Sequence, residues 1–261
     1  MGFIDSLDLQ QITLLWVFSF GLIFCRVGSA IMLFPGIGEV YVPINLRLIF
    51  ALAVSFLLAP VLLPLLPKIP TSPVMLFVLA GAEIMTGIFI GMVLRMLLSL
   101  IHVSGMIIAF QSSLASAMLF DATQGSQGAV VGVLLTQLAV TLLFTSDLHH
   151  PMLLAIANSY HLFPAGVFPN VSDFSEMAVR LASHGFLTAF KIAAPVLAVT
   201  TMLYLVAGVM SRLMPNMQVF FVIAPAQIYI AFMTFMVTLS AGMLWYLEYY
   251  RDALSFLDGG G

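Results

Sequence analysis

The sequence predicts an all-α, polytopic integral membrane protein of about six hydrophobic helices, with kinked or broken helical hairpins. Composition is the first reason: the 261 residues are 62% hydrophobic and 7% charged, against about 25% charged in soluble domains. Mean hydropathy is +1.15. The second reason is that the apolar residues fall in runs of the roughly 20 residues a helix needs to cross a bilayer. A net charge of −3 provides no basic surface, so nucleic acid is not expected as a ligand. Cys25 is the only cysteine, which excludes an internal disulfide and any CxxC site.

In chain order the candidate spans are 12–34, 46–66, 74–101, 129–144, 186–210 and 217–247. Pro and Gly punctuate the connections "PGIGEVYVP" (35–43) and "PKIPTSP" (67–73). Stretches 103–120 and 151–169 are apolar but broken by Ser, Gly and Pro, and read as re-entrant or buried pieces. Residues 165–185 are the most polar interval, where Asp173 or Ser175 suits the cap of a short helix. From 213 to 247 there is no charge, yet Pro215, Asn216, Gln218, Pro225 and Gln227 interrupt the run. Proline removes a backbone donor and crowds the preceding turn, so this segment reads as a helix end, a tight turn and a second helix kinked near Pro225. In lipid the freed carbonyls would lack partners, which argues for packing against protein. On a six-span topology Lys68, Arg180 and Arg251 oppose Arg47 and Arg212, a split too even to orient the chain.

Arg26, Glu83, Arg95 and Lys191 lie inside apolar runs, where a charge is costly and demands a partner. Glu83, Gly87, Gly91, Arg95 and Ser99 recur every four residues. On a helix they form a slowly drifting stripe that should face protein, with Gly87-x-x-x-Gly91 allowing close backbone approach. Glu83 and Arg95 would stand about 18 Å apart along the axis, so each needs a partner on another helix; Arg26 and Lys191 are the choices for Glu83. The five histidines, His102, His149, His150, His161 and His184, show no metal-ligand spacing. No nucleophile elbow, phosphate loop or carboxylate pair is present, so no catalytic residue, metal or cofactor is expected. The stretch "FQSSLASAMLFDATQGSQGAVVG" (110–132) sets small polar residues between apolar runs; it reads either as a surface loop or as a loop lining a channel.

Four blocks of this chain together resemble the FliR family of flagellar export apparatus proteins and its virulence-injectisome relatives. They are "CRVGSAIMLFPGIGEVYVPINLRLIFALAVSFLLAP", with Arg26, Pro35, Pro43 and Arg47; "AEIMTGIFIGMVLR", with Glu83, Gly87 and Gly91; "SAMLFDATQGSQGAVVG"; and "KIAAPVLAVTTMLYLVAGVMSRLMPNMQVFFVIAPAQI", with Pro195, Arg212, Pro215 and Pro225. The resemblance implies a non-enzymatic subunit of a type III protein export gate in the bacterial inner membrane, in the flagellar basal body, without a cofactor. It implies FliP-like, FliQ-like and FlhB-like partner subunits and unfolded export substrates. It further implies a FliP-like front part over 1–172 and a FliQ-like helical hairpin over 173–261, turned at Pro215 and Asn216 and bent at Pro225. By the same resemblance the loop 110–128 would plug the pore through Phe110, Gln111, Ser112, Ser113, Ser116, Met118, Phe120, Asp121, Gly125 and Gly128. A secondary transporter with Glu83 as coupling carboxylate is the alternative. Its paired broken helices find only a loose match here, Pro60 and Pro64 against Pro215 and Pro225.

Overall fold

The computed structural model describes residues 9–112, 129–168, 171–214 and 219–257. Those residues are mostly helical and form no strand. The helices are α1 (Leu9–Leu33), α2 (Ile44–Leu62, followed by a 3-10 turn at Leu63–Leu65), α3 (Pro73–Gln111), α4 (Ala129–Thr145), α5 (His149–Leu162), α6 (Val171–Leu213) and α7 (Val219–Leu257). Five are long and apolar enough to cross a membrane, or six counting α4 with α5 as one broken span. Length and composition therefore define a polytopic membrane protein.

The described residues fall into two compact units. One lies within Met1–Met96, Leu148–Val179 and Leu254–Gly261, the other within Leu97–Asp147 and Arg180–Ala253. In the first unit α1 buries Ile23, Val27, Ala30 and Ile31, a helical face at spacings of three and four. α2 answers with Ala51, Ser55 and Ala59 and leaves Ile49, Leu52, Phe56 and Leu57 exposed on its other side. In the second unit α4 buries Val131, Leu135, Ala139 and Leu143, and α7 buries Ala231, Phe235, Tyr246 and Tyr250. Within lipid no water-driven force presses helices together, so association depends on close packing and on hydrogen bonds between them. Buried hydroxyls are largely satisfied by their own helix: Ser55 donates to Ala51 O, Thr86 to Ala82 O and Thr200 to Val196 O.

α3 departs from the sequence expectation, because it runs unbroken through 103–111. The Ser and Gly there mark a close helix crossing instead of a loop: a Cβ on Gly105 would lie 2.5 Å from the Cα of Gly132 on α4. Stretch 151–169 likewise contains a regular helix, α5, ending in a turn with Gly166 at φ +78°. α6 begins at Val171, well before the apolar run at 186, and continues through Pro195; α7 continues through Pro225. The expected turn at Pro215 and Asn216 lies outside the described residues.

Candidate functional site

Arg26 projects from α1 and Glu83 from α3, both fully buried. Arg26 Nε donates to Glu83 Oε2 at 2.7 Å and Nη2 donates to Oε1 at 3.1 Å, the planar two-point fork that guanidinium and carboxylate favour. The remaining arms go to α5. Arg26 Nη1 donates to Ser159 Oγ at 3.3 Å and to the Phe163 carbonyl at 3.1 Å, so it satisfies a carbonyl at the helix end that no later helical N–H reaches. The Tyr160 ring lies 3.8 Å from the guanidinium carbon, centroid to atom, a cation–π contact. Glu83 Oε1 also accepts from the Gly166 backbone N–H at 2.8 Å.

This network ties α1, α3, the end of α5 and the turn after it. The turn needs Gly166: its positive φ suits glycine, the Val167 N–H bonds the Pro164 carbonyl, and a Cβ there would run into Leu79. Gly87 and Gly91 bring α3 against α1. A Cβ on Gly87 would fall on the Ser29 hydroxyl and the Arg26 carbonyl, and one on Gly91 would lie 2.8 Å from the Ala30 carbonyl oxygen. Beside the clamp, Phe89 stacks on Phe174 at 3.5 Å between centroids, and Phe163 stands 4.8 Å from Phe174.

Arg95 sits elsewhere. Its side chain is 45% exposed, with Glu39 of the α1–α2 connection 3.9 Å away, and Ser99 is exposed too. The physical reason is drift: steps of four residues rotate a stripe by about 40° each, so the stripe leaves the buried face beyond Gly91. Its partner is thus in a connection and not on another helix. Lys191 is exposed on α6 and not part of the clamp. Arg47 donates to the Val42 and Glu39 carbonyls at 2.9 and 2.6 Å and thereby fixes the connection that starts α2 behind Pro43; Pro35 leads into the same connection. Pro195 lies within α6, and Arg212 lies exposed in its last turn.

Phe110 and Gln111 end α3, and Ser112 is buried just beyond. Of the expected plug residues, Ser113, Ser116, Met118, Phe120, Asp121, Gly125 and Gly128 lie outside the described residues, as does Pro215. At the end of α3 the buried Gln227 of α7 donates through Nε2 to the Gln111 carbonyl at 2.8 Å. Sequence reasoning missed three contributors, Ser159, Tyr160 and Gly166. The Pro-Ala-Gly turn at 164–166 was the available signal.

An all-α chain with membrane-length helices, joined among the described residues by a fully buried ion pair, belongs to the class of polytopic membrane proteins. Residues 17–253 match the family model of bacterial export proteins, family 1, and the chain belongs to that family. It is 32% identical over 241 residues to the flagellar biosynthetic protein FliR of Caulobacter vibrioides, covering 91% of this chain and 95% of that one. The FliR of Bacillus subtilis is 27% identical, with 85% and 86% covered. The Yop proteins translocation protein T of Yersinia pestis is 30% identical over 167 residues, 63% and 64% of the two chains.

Proposed function

We propose that this chain is a non-enzymatic subunit of a bacterial type III export gate, flagellar in type, that helps form and close the channel through which unfolded proteins cross the inner membrane. The family match and the relatives named for flagellar biosynthesis and Yop translocation support the apparatus. The observation favouring a scaffold over a transporter is the state of Glu83. Both its oxygens accept from fixed donors on other elements, and it is fully buried. A coupling carboxylate must bind and release its ion or proton each cycle, whereas this one is held by three donors. In the same proposal FliP-like, FliQ-like and FlhB-like subunits surround the chain, 173–261 acts as a FliQ-like hairpin and 110–128 closes the pore.

Glu83→Gln separates the two readings. In a gate subunit the variant loses folded, assembled protein, and export falls in step with the amount assembled. A variant that assembles at wild-type level and yet loses all transport would instead mark Glu83 as a coupling group.

A further inference from the structure

Between α4 and α5 the chain turns in three residues, Ser146 to Leu148. The Ser146 N–H bonds the Leu142 carbonyl at 2.8 Å and the Asp147 N–H bonds the Phe144 carbonyl at 3.3 Å, which ends α4. The Met152 N–H then bonds the Leu148 carbonyl at 3.3 Å, so α5 begins at once. Asp147 makes the reversal at φ +57°, the one positive φ outside glycine among the described residues. An L-residue rarely takes that conformation, and Asp and Asn tolerate it best.

The turn gathers donors whose spacing along the chain matches no metal motif. One ligand atom each from Asp147, His149 and His150 lies within 4.8 Å of the other two. The two imidazole rings lie side by side, with 4.1 Å between centroids and 36° between planes. His149 keeps this ring contact, while its Nδ1 is buried and makes no hydrogen bond. Asp147 and His150 are exposed, which leaves an ion a path of entry.

Donor chemistry selects the ion. Two imidazoles and a carboxylate suit zinc, copper or nickel, whereas magnesium and calcium prefer oxygen donors throughout. In a tetrahedral zinc site, bonds of about 2.0–2.1 Å set the donor atoms about 3.4 Å apart, a closing movement within reach of side-chain rotation. Three protein ligands leave the fourth position to water.

We propose that the turn carrying Asp147, His149 and His150 binds one divalent cation of the zinc class, which ties the end of α4 to the start of α5. Such binding is independent of the export-gate reading and goes beyond it.

The full chain, purified in mild detergent with a histidine-free tag and stripped with EDTA, is titrated with Zn2+, and with Co2+ as a visible-absorbing substitute. Wild type should take up one equivalent of Zn2+ saturably, its thermal midpoint should rise with zinc concentration, and Co2+ should give absorption bands that Zn2+ abolishes. Mg2+ should do none of this. Asp147→Asn, His149→Gln and His150→Gln should each weaken zinc binding by at least about tenfold, whereas His184→Gln, on α6, should bind as wild type does. The wild-type titration stands whether or not the variants fold, and their metal-free thermal midpoints separate a lost ligand from a lost fold. No saturable uptake by wild type, unchanged uptake in the His149→Gln/His150→Gln double variant, or equal uptake of Mg2+ would overturn the site.

Discussion

Removing either member of the Arg26–Glu83 pair strands the other in a site without water, and breaking a buried pair costs about 3–5 kcal/mol. Arg26→Met and Glu83→Met should each lower the thermal midpoint in detergent sharply. The double variant Arg26→Met/Glu83→Met leaves no orphaned charge and should be more stable than either single one, since the apolar pair can pack. The Gly166 N–H and the Phe163 carbonyl still lose partners, which keeps recovery incomplete. Additive losses in the double variant would show that the two side chains do not act as a unit. The sequence marked both residues as buried charges but left Glu83 a choice between Arg26 and Lys191. Fifty-seven residues separate the true pair, and only the register of α3 against α1, set at Gly87 and Gly91, decides it.

At the scale of elements, glycines on one helix have opposite meanings. Gly81 has open space where a Cβ would go, while Gly87 meets Ser29 and the Arg26 backbone. Gly81→Ala should be neutral or stabilising by up to about 1 kcal/mol through helix propensity. Gly87→Ala must push α1 from α3 and spoil the fork, so it should cost at least about 2 kcal/mol by overpacking. Thermal unfolding of the two variants side by side reads the difference; equal midpoints would mean that close approach at Gly87 does not support the clamp. The helices themselves were legible because apolar runs of bilayer length leave little else for a backbone that must satisfy its own hydrogen bonds. Their ends were less legible. Ser104 and Gly105 look like loop residues along the chain, and only the approach of Gly132 shows them as helix-crossing residues. The N-terminal third of α6 is too polar to register as a span, yet it continues the same helix through Phe174 and Leu181, which are buried.

For the whole molecule, α3, α6 and α7, at 39, 43 and 39 residues, would each extend about 60 Å, twice the hydrocarbon thickness. They carry exposed apolar side chains, such as Met202, Leu205 and Val209 on α6 and Met233, Met236 and Val237 on α7. Exposed apolar surface of this kind meets either membrane or protein. The family resemblance was readable in the sequence from the order of the blocks that carry Arg26, Glu83, Gly87, Gly91 and Pro195, and the family model matches residues 17–253. What covers the flanks was not, since an apolar side chain looks the same whether lipid or protein meets it. Native mass spectrometry of the wild-type chain, co-expressed with its neighbouring genes and kept in mild detergent, tests the gate reading most directly. The account predicts a defined hetero-oligomer containing one copy of this chain; a folded, stable monomer or homodimer free of other subunits would contradict it.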